Sequence, residues 1–538
     1  MTVPRVADNL PPSLRRGVTR RVLAAGLLAA TFSLAACGSG DSGTKATGPA
    51  DQLRLAVSSD LPTLDPSTVY QYEGNQVLTA VYEGLLSYSP DSTEAIVPQL
   101  ASKYDVSKDG LTYTFTLRDD VTFTGGRTMT SKDVQASFER LADKKVASQM
   151  SYMVMGVAKY ATPDDHTFVV TLAAPSSSFL SLVASPFGPK IIDSDVLTKN
   201  AADSATTYLK DHTAGTGPYE LTSMTKGQGY ELTSRADYWG GKPGFAKVSV
   251  KVIGDAATQL LQLQGGDLDI VTGQPVATLD QFAKNSGYKV AEYPTLQKSM
   301  LHLKVTGNLA DVKLREALRA AIDRDAFTKQ IFGTHAAVST QMYPVKNVPA
   351  GTAKDDWTTD PTALTTLAAG KTLTLGYVSG HARDKQASEA LQAKWAAAGA
   401  KVELVAVQGS DIYGLSSNLA SAPDMIYETA YPDSTHPDTW SRLFWYSDTA
   451  KGNGALNYLV GGTKEADAAI DAGAAATDQA TIDADYAKAG DLVHAQASYI
   501  TLADMNDSFI MRSDLTGGGH WLPAPLTLDL RTLKRAGN

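Results

Sequence analysis

Between Leu373 and Val407 the hydrophobic period changes twice, and no other stretch constrains the fold as tightly. Leu373 to Tyr377 has the length and composition of a strand. Ala387, Leu391 and Trp395 then recur at four-residue spacing, a helical stripe ended by Gly399. Val402 to Val407 reads as a second strand. Strand, helix and strand in this order predict a β-α-β unit with parallel strands and a right-handed crossover. Mixed elements continue on both sides. Leu53 to Val57 alternates, as do Leu111 to Leu117, Phe168 to Leu172 after an Asp164-Asp165 turn, and Val248 to Val252. Ser131 to Leu141 reads as a helix with Val134, Phe138 and Leu141 on one face. From Asp311 the pattern is helical through Leu314, Leu318 and Ile322, with a stop at Gly333, and residues 464–498 are alanine-rich and helical. The expected class is α/β, with lobes joined by a hinge.

With 538 residues the chain exceeds one hydrophobic core, so at least two lobes are expected. A hydrophobic content of 43% with 20% charged residues suits a soluble globular body. The N-terminus reads differently. Arg15, Arg16, Arg20 and Arg21 precede an apolar run from Val22 to Ala36, too short for a membrane helix, which needs about 20 residues. This is the pattern of a cleavable export signal. Leu34-Ala35-Ala36-Cys37 resembles a bacterial lipobox, in which the cysteine takes a diacylglycerol and becomes the new N-terminus. Cys37 is the sole cysteine, so the exported protein has no disulfide. Thr19 to Leu23 partly resembles a twin-arginine signal without its usual lysine, which leaves the export route open. Residues 37–50 then form a lipidated cysteine and a flexible tether. Residues 1–36 carry five arginines and one aspartate, so their removal lowers the net charge from −9 to −13. An acidic chain without a basic stripe is a poor nucleic-acid binder.

A set of ordered motifs carries a family resemblance. Leu64-Asp65-Pro66 follows the first strand, then Val81-Tyr82-Glu83-Gly84-Leu85-Leu86. Tyr113 to Phe138 gives a strand, a glycine turn and a Thr-x-x-Asp-Val helix start, with Thr124-Gly125-Gly126 where relatives usually have His-Asp-Gly. Gly215-Thr216-Gly217-Pro218-Tyr219, Asp237-Tyr238-Trp239, Gly265 to Ile270 and Arg315-Glu316-Ala317-Leu318 follow in order. Together they resemble the peptide/nickel type (family 5) of extracytoplasmic solute-binding lipoproteins of bacterial ABC importers. Locally these residues read as fold-making. Gly125-Gly126 permits a turn with positive φ, Thr130 caps a helix that has Asp133 in its first turn, and Gly265-Gly266 ends another.

The resemblance implies a periplasmic-binding-protein-like fold of type II, with two lobes, a hinge and three domains. Domain I is expected at 51–85, 215–294 and 504–538, domain II at 86–214, and domain III at 295–503. It also implies a monomer on the outer face of the cytoplasmic membrane, anchored through Cys37 and partnered by ABC permease and ATPase subunits. A peptide-like solute would be enclosed between the lobes. Alternative readings are a metal chelate of the nickel type, another small solute, or a receptor that senses its ligand.

Two segments are candidate ligand walls. Tyr427 to Trp440 holds aromatics, prolines and acids in what reads as one loop after a short strand at Asp424-Met425-Ile426. Tyr427, Glu428, Tyr431, Asp433, His436 and Trp440 are its candidates. Ser67 to Asn75 is the second, with Tyr70, Tyr72 and Asn75 facing the cleft; an extended chain would put both tyrosines on one side. In peptide-binding relatives an aspartate in the first segment holds the peptide's α-amino group. Ungapped matching puts Ala430 there, with Glu428 or Asp433 as substitutes. No metal site is expected, His436 being a metal contact only in the nickel reading, and no cofactor. No Gly-x-Ser-x-Gly, His-Glu-x-x-His or Walker motif occurs, so an enzyme is not expected.

Overall fold

The computed structural model describes residues 50–89, 96–345, 349, 355–409, 411–449, 454–520 and 523–536. The expected export signal, Cys37 and residues 38–49 of the expected tether lie outside the described residues.

Among the described residues eleven strands form one mixed sheet. From one edge its order is Lys401–Val407, Thr372–Val378, Met425–Ala430, Tyr288–Leu303, Tyr499–Arg512, Ile270–Thr272, Gln52–Val57, Lys247–Val252, Gly229–Ser234 and Tyr219–Thr225. Ala336–Val338 pairs with Tyr499–Arg512 beside this path. Thr372–Val378 and Lys401–Val407 pair in parallel, with Leu375 opposite Leu404. The helix Ala382–Ala397 packs on both and buries Ala387, Leu391 and Trp395, as their spacing predicts. Beyond it Gly399 takes a φ of +84°, which a side chain would oppose.

The two long strands hold the molecule together. Tyr288–Leu303 runs antiparallel to Tyr499–Arg512, and the register breaks between Pro294, opposite Asn506, and Lys298, opposite Asp504. Proline has no N–H to give a ladder, which accounts for a break there. On one side of the break a core gathers around Leu301, Leu375, Trp395 and Tyr427. On the other, a second core gathers around Leu55, Val250, Ile270 and Phe509.

A separate antiparallel sheet orders Ala101–Val106, Thr112–Leu117, Thr167–Leu172 and Val157–Asp164. Phe115, Phe168 and Val170 point into a third core beneath the helix Ser131–Ala142, whose Phe138 ring lies 5.2 Å from that of Phe168. Thr130 and Asp133 close a reciprocal capping box at that helix's start. The turn before it places only Gly126, at φ +81°, in the left-handed region.

Two helical readings need correction. The run from Asp311 is two helices, Val312–Ala320 and Arg324–Phe332, because Asp323 caps the second through the Ala326 N–H. The alanine-rich run is likewise Lys464–Ala475 and Gln479–Gln496, split where Asp478 accepts from the Thr481 N–H.

Three motifs of the ordered set meet in space. The buried Glu83 carboxylate accepts from Thr216 Oγ1 at 2.9 Å, Tyr238 OH at 2.7 Å and Trp239 Nε1 at 3.0 Å. Burial raises its pKa, and these donors act in the opposite sense. Asp65 is fully buried and receives two bonds from the Arg140 guanidinium, at 2.8 and 2.6 Å. That pair fixes the loop that carries Tyr70.

Candidate functional site

Both faces of the strand Met425–Ala430 are covered. It lies between Thr372–Val378, parallel, and Tyr288–Leu303, antiparallel. Met425 and Tyr427 enter the core around Trp395, while Ile426, Glu428 and Ala430 face the other way. The chain then leaves the sheet at Tyr431 and starts the helix Pro437–Phe444, with proline in its first turn and His436 as cap. The Asp438 N–H donates to His436 Nδ1 at 3.2 Å. The segment 427–440 is thus strand, short loop and helix rather than one loop.

That division sorts the candidates. Glu428, Tyr431 and Asp433 line a cavity of about 300 Å³ together with Tyr70 and Tyr72. Tyr427 does not: its ring is in the core and its hydroxyl bonds Ser299 Oγ at 2.8 Å. Trp440 is buried against Phe444, ring centroids 4.5 Å apart, because a helix turns it inward. His436 is spent on the helix cap and packs on Tyr486 at 5.5 Å, and burial pushes it down to about 4. Asn75 is 1% exposed within the helix Tyr72–Val81 and outside the cavity wall. Because that helix begins at Tyr72, Tyr70 and Tyr72 are not an extended pair. One arrives from a loop and the other from a helix start.

Aromatic edges close the cavity. Tyr72 meets Tyr431 edge-on at 6.2 Å, Tyr70 meets Phe187 at 5.4 Å, and Phe187 stacks near Tyr431 at 6.3 Å. A second compartment of about 390 Å³ shares Tyr72, His381, Asp384, Thr429 and Tyr431 with the first and adds Gln297, Arg383 and Asn506. Both volumes lie at the lower end of the ~300–1,000 Å³ usual for ligand sites.

Asp433 is the most unusual group in the wall. It is 1% exposed and forms no ion pair among the described residues. Its Oδ2 accepts from Tyr70 OH at 2.6 Å and from Tyr152 OH. Burial pushes its pKa up to about 6, against the pull of those two hydroxyls. A carboxylate so placed can bind a cation, for which the tyrosines hold it in position. Ala430 also lines the cavity but has no charge to offer.

Sequence reasoning missed Tyr152, His381, Arg383 and Asp384. Tyr152 lies 281 residues from Asp433, and nothing local announces it. The other three had a signal. They follow the carboxyl end of a parallel strand at a helix start, where open α/β sheets bind ligands. Among the described residues no group of three or more His, Cys, Asp or Glu is arranged to hold a metal ion.

Residues 95–452 match the family model described as bacterial extracellular solute-binding proteins, family 5, middle. The chain is 30% identical over 490 residues to the probable D,D-dipeptide-binding periplasmic protein DdpA of Escherichia coli (strain K12), covering 87% of this chain and 91% of that one. Its fold resembles the periplasmic binding protein DppA from Helicobacter pylori in complex with peptide STSA. The TM-score is 0.77 at 24% identity, over 90% of this chain and 98% of that one. It also resembles NikZ from Campylobacter jejuni in complex with Ni(L-His), with a TM-score of 0.76 at 20% identity over 90% and 98%. At these identities the two structures speak for the fold alone.

Proposed function

The chain belongs to family 5 of the bacterial extracellular solute-binding proteins, the binding components of ABC importers, and from that premise we propose that it captures a short peptide. Its α-ammonium pairs with Asp433. The observation that carries this reading is the buried Asp433 carboxylate, held by two tyrosine hydroxyls and facing a cavity lined by no lysine or arginine among the described residues. An ammonium supplies the missing charge, and the surrounding rings accept side chains of varied shape. The peptide's carboxylate end lies toward Arg383 in the second compartment. That guanidinium is exposed and forms no ion pair or hydrogen bond among the described residues. The peptide-related names of the E. coli protein and the H. pylori complex agree with this chemistry.

The test is titration calorimetry with Ala-Ala and its N-acetyl form. Acetylation removes the ammonium, and breaking a buried pair costs about 3–5 kcal/mol, a hundredfold or more in affinity. Asp433→Asn should lose as much. Equal affinity for both peptides would sink the reading. Binding of nickel-histidine in their place would favour the metal-chelate alternative, without His436, which lies outside the cavity wall.

The three-domain division belongs to the same proposal, with the hinge at the register break between Pro294 and Lys298. So does a lipid anchor on Cys37, supported by the lipobox-like Leu34-Ala35-Ala36-Cys37. Cys37→Ser should then move the protein from the membrane fraction to the soluble one. Retention on the membrane would argue against the anchor.

A further inference from the structure

We infer that the preferred solute is a peptide whose first residue carries a second cation, a lysine- or arginine-type side chain received by Glu428. This rests on the reading that Asp433 holds the α-ammonium.

Three carboxylates line the first compartment, Asp384, Glu428 and Asp433, and no lysine or arginine does among the described residues. Asp384 already has a partner, His381 Nδ1 at 3.1 Å, whose pKa it raises. The α-ammonium accounts for Asp433. Glu428 remains.

Its setting is built rather than incidental. Met300 stands opposite Glu428 and His302 opposite Ile426, so His302 and Glu428 are diagonal neighbours on one face of the sheet. His302 is buried beneath the rings of Phe444, Tyr458 and Tyr499, and its Nε2 bonds Glu428 Oε1. Its Nδ1 is buried without a partner among the described residues. The Nε2 bond orients the carboxylate from a ring outside the compartment's wall. Tyr413 and Tyr458, 6.0 Å apart and edge-on at 77°, stand in the same wall. An aliphatic side chain here would strip water from Glu428 and return no charge. An ammonium or guanidinium returns it.

The experiment compares Lys-Ala with norleucine-Ala, nearly isosteric but neutral at the side chain, alongside Ala-Ala. Lys-Ala should bind at least tenfold tighter than norleucine-Ala, and Glu428→Gln should bring that ratio toward one. A ratio near one in the unmodified protein overturns the inference even if the variant fails to fold. So does a ratio that survives Glu428→Gln. If Ala-Ala binds and the ratio is one, only the second cation is wrong. If no peptide binds, the Asp433 reading falls and takes this inference with it.

Discussion

A carboxylate buried without a cation opposes folding at neutral pH, and Asp433, which forms no ion pair among the described residues, is such a group. Its ordinary pKa is 3.8 and its folded one about 6. The folded state therefore keeps a proton that the unfolded chain has lost between those values. Stability from this group falls as pH rises from about 4 to about 6, and is flat above. At about 1.36 kcal/mol per pKa unit, the cost at pH 7 is on the order of 3 kcal/mol. Tyr70, Tyr152, Tyr413 and Tyr431 interact with it, and none offers a positive charge. Asp433→Asn keeps an acceptor for the tyrosines and removes the charge. The unliganded variant should melt higher than the parent at pH 7.5 and differ little at pH 4. A lower melting point at pH 7.5 would mean that the carboxylate is structural. Ligand affinity should fall about tenfold per pH unit below 6, because the protonated acid cannot pair with an ammonium.

At the scale of elements, buried pairs between distant segments set the loop that reaches the site. Arg140, from the helix Ser131–Ala142, binds Asp65 and also donates from Nε to Ser204 O at 2.8 Å. Removing one partner of such a pair costs about 3–5 kcal/mol, mostly from the charge left behind. Arg140→Met should therefore lower the denaturation midpoint strongly. Asp65→Asn added to it should recover part of the loss. If the two losses simply add, the charges are not coupled. This level also shows how far sequence reasoning reaches. Alternation placed Thr112–Leu117 and Thr167–Leu172 because one face of each meets solvent more than the other. It failed at Met425–Ala430, where both faces are largely buried and Tyr427, Glu428 and Thr429 show no polarity period. A continuous loop was the natural local reading of residues 427–440. The pairing with Tyr288–Leu303 that overrules it lies more than a hundred residues away. Asp433, Tyr70 and Tyr431 were legible as residue types, but the bond from Tyr152 needed the fold.

On the scale of the whole molecule, the proposed closure of the cleft would rest on serine bonds as well as the Tyr152 bond to Asp433 and the Thr435 N–H bond to Tyr88 OH. Ser177 donates to residues 473 and 474, from Oγ to Gly473 O at 2.9 Å and from N to Ala474 O at 2.9 Å. Ser178 Oγ reaches Asp438 Oδ2 at 3.2 Å, and Ser185 Oγ reaches Asp433 O at 2.5 Å. Ser177 and Ser178 join the part built on the four-stranded sheet to the helices beyond residue 436, and Ser185 joins it to the loop at Asp433. Opposite them, two long strands with an irregular register are well suited to bend. A latch of this kind sets the population of the closed form and hence the apparent affinity. Ser177→Ala with Ser178→Ala removes the two side-chain bonds that reach these helices, from residues outside both cavity walls. At about 1 kcal/mol each, they are worth roughly 2 kcal/mol, up to about thirtyfold in the closed-to-open ratio. Without ligand, small-angle scattering should report a larger radius of gyration for the double variant. Saturating peptide should bring it back to the parent value, since ligand favours the form in which both sides touch it. Affinity should fall by no more than the latch factor, through faster release. An unchanged scattering curve and unchanged affinity would mean that packing alone holds the cleft shut.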